Sequence, residues 1–108
     1  MVRLNCSGLR FGSYLDEKYL FTWALEIKGV LRWDQDTLVV RSLRLSEASL
    51  RDLVALFHRY NIPMEQLAQF RNSRNENWFA ASHMYWHKLV FPKKPNRGNT
   101  NARRSSMI

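Results

Sequence analysis

Residues 45–61, LSEASLRDLVALFHRYN, constrain the fold of this chain more than any other stretch. Leu50, Leu53, Val54 and Phe57 fall at i, i+3, i+4 and i+7, and Tyr60 continues the stripe. That spacing predicts an amphipathic helix whose apolar face needs a second layer to cover it. Ser46 stands at the N-cap position, where its hydroxyl accepts from an otherwise unpaired N–H of the first turn. Leu45 and Leu50 have the spacing of a hydrophobic staple, while Ser49 occupies the place where a full capping box has Glu or Gln. Asn61, ahead of Ile62 and Pro63, suits the stop, because Asn tolerates left-handed backbone and proline restricts its predecessor. Burying the four apolar side chains contributes roughly 6–12 kcal/mol gross, before the entropy of ordering is subtracted. This helix is scaffold, and no motif in the chain states its chemistry.

The segments around it read as a small sheet. Over 19–27 the odd positions are Tyr19, Phe21, Trp23, Leu25 and Ile27, an alternation that predicts a half-buried strand. A helix starting at Ser13 competes with it, since Ser13 and Asp16 have near-capping-box spacing and Gly29 could follow the last turn. The aromatic and β-branched content favours the strand. Lys28-Gly29 then turns into 30–33, and Asp34-Gln35-Asp36 turns into 37–41. Three such strands make an antiparallel meander. Residues 1–13 are harder to read, with Leu9 and Phe11 candidates for an edge strand between Gly8 and Gly12. After Pro63, MEQLAQF predicts a short helix with Met64, Leu67 and Ala68 on one side. A third helix is expected over 78–91, apolar around much of its circumference and stopped by Pro92. The expected fold is α+β: a meander of three to four strands with two or three helices packed on one face.

Length and composition bound the rest. A chain of 108 residues, 45% apolar and carrying 14 aromatics, makes one folded domain. Its single cysteine, Cys6, forms no internal disulfide framework and is expected to be a buried thiol in a reducing compartment. The first residues lack the apolar core of a signal peptide, and no run reaches the length of a membrane span, so a soluble cytoplasmic protein is expected. The net charge of +8 is unevenly placed. Residues 92–108 hold Lys93, Lys94, Arg97, Arg103 and Arg104 without an acid, and read as a disordered basic tail. Residues 1–91, the expected domain, carry 12 basic and 9 acidic side chains.

Candidate chemistry is sparse. His83 and His87 stand one helical turn apart, but two histidines do not close a zinc site, and Met84 stands where a metalloprotease helix has its Glu. No nucleophile elbow, phosphate cradle or separated carboxylate pair appears. The expectation is a protein with no catalytic residues, no metal, no cofactor and no small-molecule substrate. Two binding modes remain. The first is a protein-binding surface built on Trp33 at the mouth of the Asp34/Asp36 turn, with Glu26, Trp78 and Tyr85, the residue types and charges that anchor and steer a cationic partner. The second is nucleic-acid binding through body arginines, Arg71 and Arg74 foremost, and the tail cations Lys93, Lys94, Arg97, Arg103 and Arg104.

The Trp33-Asp34…Asp36-Thr37 turn, the compact GVLRWDQDTLVV segment and the SEASLRDLVALFHRYNI helix after it resemble small immunity proteins of bacterial polymorphic-toxin systems, including contact-dependent inhibition loci. The likeness covers 19–91. It implies a non-catalytic protein that binds one cognate toxin domain and neutralises it by occlusion. Immunity proteins to nucleases are often acidic, whereas this body is mildly basic. Either the toxin surface is not strongly cationic, or Asp34, Asp36, Glu26 and other local carboxylates make an acidic patch within a basic protein.

Overall fold

A computed structural model describes residues 1–92. The expected tail and its cations Lys93, Lys94, Arg97, Arg103 and Arg104 lie outside the described residues, apart from Pro92. The long helix falls where its sequence puts it, as α2 (Glu47–Arg59). Ser46 caps it, its hydroxyl accepting from the Ser49 N–H at 3.2 Å. Leu50, Leu53, Val54 and Phe57 are buried, joined by Leu56. At the other end Asn61 takes φ +56°, and the Ile62 N–H reaches back to the Phe57 carbonyl at 3.0 Å. That bond and the buried Ile62–Phe57 pair form a Schellman stop.

The sheet has three antiparallel strands, β1 (Val2–Asn5), β2 (Val30–Asp34) and β3 (Thr37–Val40), in the order β1-β3-β2. β2 and β3 make the expected hairpin, with Asp34 opposite Thr37 and Gln35 in left-handed backbone at φ +55°. The third strand is β1 rather than 19–27. Val2 and Leu4 point into the core, paired with Val40 and Leu38, while Arg3 and Asn5 face outward. Val39 is buried on the outer face, flanked in register by Arg3 and Arg32, residues whose aliphatic stems can cover an apolar neighbour. The Gln66 side chain closes the free end of the β1 edge. Its amide accepts from the Asn5 N–H and donates to the Asn5 carbonyl, both at 2.8 Å, occupying groups on which a further strand would pair.

Residues 19–27, expected as a strand, belong to α1 (Tyr14–Glu26). Ser13 is its cap, with the Asp16 N–H donating to the Ser13 hydroxyl at 3.3 Å and the Asp16 carboxylate accepting from the Gly12 N–H at 3.4 Å. The carboxylate takes the N–H of the residue before the cap rather than that of Ser13, so the arrangement resembles a capping box without closing one. The helical period wins because Leu20, Ala24 and Ile27 reach the core together, whereas Tyr19 and Leu25 of the alternating set are exposed. The helix stops at Glu26 with Ile27 as its C-cap, and Gly29 lies in the turn that follows, at φ +102°, where a Cβ would meet Leu45 Cδ2 at 2.6 Å. Leu9 and Phe11 sit in the loop ahead of α1, half-buried against the core.

Met64–Phe70 winds as a 3-10 helix. Met64, Leu67 and Phe70 are buried, a three-residue spacing that matches three residues per turn. The continuous helix expected over 78–91 is instead two short ones, α3 (Glu76–Phe79) and α4 (His87–Val90), joined by tight turns. A straight helix would separate residues seven apart by about 10.5 Å along its axis. The folded path brings the Phe79 and Trp86 ring centres to 6.4 Å, and the Trp86 indole N–H donates to the buried Phe79 carbonyl at 2.7 Å. Satisfying that carbonyl compensates for the broken helical ladder.

Candidate functional site

The residues singled out from sequence lie in separate places. Trp33 is half-buried, its ring edge-on to Phe21 at 4.5 Å and its indole N–H donating to the Phe21 carbonyl at 3.3 Å. It completes the packing of α1 on β2 and is not an exposed anchor. Asp34 is exposed but bound to Arg3 at 2.6 Å. The Arg3 hydrogen bond and charge hold its carboxyl below the usual value of 3.8. Asp36 is exposed and borders a cavity of about 220 Å³ together with Cys6, Glu17 and Trp33. Burial pushes the Cys6 thiol up to about 12, with the Asp36 charge adding to the shift. A thiol held protonated in this way is no nucleophile at neutral pH.

Glu26 lies elsewhere, on the outer side of α1. It lines a groove of about 350 Å³ with Tyr19, Thr22, Trp23, Arg59 and Tyr60, where α1 meets the end of α2. Tyr60 fastens that junction, its hydroxyl donating to the Asp16 carbonyl at 3.3 Å and its ring lying 6.3 Å from that of Phe11. Beside the groove, α1 presents Tyr14, Leu15, Tyr19 and Leu25 to solvent, exposed by 75%, 52%, 56% and 52%. On a 100° wheel these residues, with Lys18, Thr22 and Glu26, surround the direction opposite Leu20 and Ala24. A surface helix normally turns a polar face outward, whereas α1 sets four large apolar or aromatic side chains among Lys18, Thr22 and Glu26 on its outer side. Reading 19–27 as a strand assigned Tyr19 and Leu25 to the core and so concealed this face. The legible signal was the Ser13 cap with Asp16 three residues on, followed by Leu20, Ala24 and Ile27 at helical spacing.

Trp78, Arg71 and Arg74 do come together. They line a cleft of about 680 Å³, with Arg44, Gln69 and Asn72 among its other walls. Trp78 is half-buried and carries the Arg51 guanidinium 4.4 Å over its ring. Arg51 is also held by Glu47 at 2.8 Å, and Arg71 by Glu76 at 3.3 Å. Tyr85 stands apart, 57% exposed, with the His58 ring edge-on at 4.9 Å and Trp86 at 5.0 Å.

His83 lies in the turn between α3 and α4, not on a common helix with His87. Nδ1 of His87 is buried without a hydrogen-bond partner among the described residues. No group of three or more metal-ligating side chains is assembled among those residues, and no helix among them is long and apolar enough to cross a membrane. No protein-family model, curated protein or solved structure matches the chain.

Proposed function

We propose that this chain is a non-catalytic protein-binding module of immunity type, acting in the bacterial cytoplasm by docking the outer face of α1 on a cognate toxin domain. The observation that carries the reading is the exposure of Tyr14, Leu15, Tyr19 and Leu25 on a helix whose other side is already packed. Exposed apolar side chains grouped on one helix mark interaction sites, and tyrosines are among the residues enriched where binding energy concentrates. On this outer face Glu26 is matched by Lys18, while Asp16 and Glu17 lie toward the core side, Glu17 lining the cavity beside Cys6. The face is close to neutral, so its rings rather than its charge supply the anchor.

The contact therefore moves from the Trp33–Asp36 turn to α1, keeping Glu26 at its edge. Occlusion without turnover needs only a stable complex, and no reacting group enters it.

The test is a titration of a candidate toxin domain, sought in the reading frames that flank the gene for this chain, against the wild type and a Tyr19→Ala/Leu25→Ala variant. The wild type is expected to form a 1:1 complex. The variant should melt as the wild type does, because both side chains are exposed, yet bind more weakly by about 2 kcal/mol per anchor, roughly 30-fold each. Unchanged affinity in the variant, or no complex with the wild type, overturns the reading.

A further inference from the structure

We infer that the cleft between 43–47 and 69–78 binds single-stranded nucleic acid, with Arg44, Arg71 and Arg74 holding phosphates beside a stacking platform made by Trp78 and Arg51. At about 680 Å³ the cleft is the size that takes a nucleotide rather than a lone ion. Its charge is mainly positive, although Arg71 is already held by Glu76 at 3.3 Å. Glu47 is the acid among its lining residues, and Arg51 already holds that carboxylate at 2.8 Å. Arg44 and Arg74 are exposed and have no ion-pair partner among the described residues.

The loop that presents two of these arginines is fixed from within. Asn72 Oδ1 accepts from the N–H groups of Arg74 and Asn75 at 2.9 and 3.1 Å. The Asn75 side chain, 6% exposed, accepts from the Asn72 N–H and donates to the Phe70 carbonyl, both at 2.8 Å. Loop ordering is therefore complete before a ligand arrives, which lowers the cost of binding. Arg51 stands outside the cleft lining but adjoins it through Trp78. Its guanidinium lies on that ring and is itself exposed, so it offers a planar outer face to an unpaired base next to the cleft.

The sequence after the cleft has the same character. Residues 93–108 carry five cations and no acid. An acidic peptide would leave the stacking platform unused.

The experiment is fluorescence anisotropy of a labelled mixed-sequence single-stranded RNA with the full chain, from about 50 to about 300 mM salt. Affinity should fall linearly on logarithmic axes. Arg44→Ala/Arg74→Ala should reduce the steepness by about 1.4, at roughly 0.7 per phosphate contact on a single strand. Arg51→Lys keeps the charge and loses the plane, so it should weaken binding severalfold at an unchanged slope. The Tyr19→Ala/Leu25→Ala variant should bind RNA as the wild type does, which separates this site from the α1 surface. Absence of binding at the lowest salt overturns the inference, as does a slope unaltered in Arg44→Ala/Arg74→Ala. Equal competition by poly-glutamate or a phosphopeptide, or Arg51→Lys binding like the wild type, would mean that only an unspecific basic surface is present.

Discussion

Replacing Asn75 with alanine should cost more stability than any surface position of comparable size. Its side-chain oxygen and nitrogen each make a 2.8 Å bond, from the Asn72 N–H and to the Phe70 carbonyl. Truncation leaves both groups unpaired, and an orphaned buried polar group costs about 1–3 kcal/mol. Asn72 Nδ2 stands 3.5 Å from the Phe70 carbonyl, at the limit of bonding, and cannot replace the lost donor without moving. Asn72 itself is only part-buried, so water can reach its N–H and the lower end of the range applies there. The sum is about 2–4 kcal/mol, a large share of the roughly 5–15 kcal/mol that holds a domain together. At about 4–8 °C per kcal/mol, the thermal midpoint should drop by at least about 8 °C, read by circular dichroism with a parallel urea titration. Arg71 and Arg74 would lose their fixed setting, so RNA affinity should fall below 25 °C as well, where the variant stays folded. A loss under about 0.5 kcal/mol would show that the loop does not depend on this amide and would remove the preorganisation from the cleft.

Three further outcomes follow from local chemistry. Asp34 has its carboxyl lowered from 3.8 by Arg3, so its contribution is present above the unfolded value and lost as pH falls below it. Asp34→Asn should flatten acid unfolding below about pH 4, and an identical acid limb would refute the pairing. Cys6, raised from 9.0 to about 12 by burial, contributes stability that is complete below 9.0 and declines as pH rises toward 12. Its thiol should resist alkylation in the native protein and react only on unfolding, so rapid native labelling would contradict the burial. Gly29→Ala combines φ +102° with a Cβ 2.6 Å from Leu45 Cδ2. It should destabilise by about 1–3 kcal/mol in chemical denaturation, and a neutral result would place the turn in another conformation.

What was legible in the sequence was what local chemistry decides. α2 announces itself because its cap, stripe and stop all lie within 17 residues, at Ser46, Leu50 to Phe57 and Asn61. The β2–β3 hairpin is legible for the same reason. α1 is not, because alternating Tyr19, Phe21, Trp23, Leu25 and Ile27 are compatible with a strand as long as the exposed side of the helix also carries large apolar side chains. The decision falls to Leu20, Ala24 and Ile27, whose burial depends on the rest of the fold. β1 is four residues long, and its pairing with β3 spans more than thirty positions, which no local pattern encodes. The break between α3 and α4 rests on one indole bond from Trp86 to Phe79. Trp33 shows the same limit at the site level. Its composition suits an anchor, yet a backbone carbonyl of α1 takes its N–H and turns the ring inward.

The measurement that bears most directly on the proposed function is side-chain footprinting of the chain alone and mixed with a candidate cognate toxin domain. Hydroxyl-radical labelling reports the solvent access of Tyr14, Leu15, Tyr19 and Leu25, all more than half exposed in the free chain. The expected result is protection of these four on binding, with the loop bearing Arg74 still reactive. Protection confined to the Trp33–Asp36 turn, or none on α1, would contradict the account.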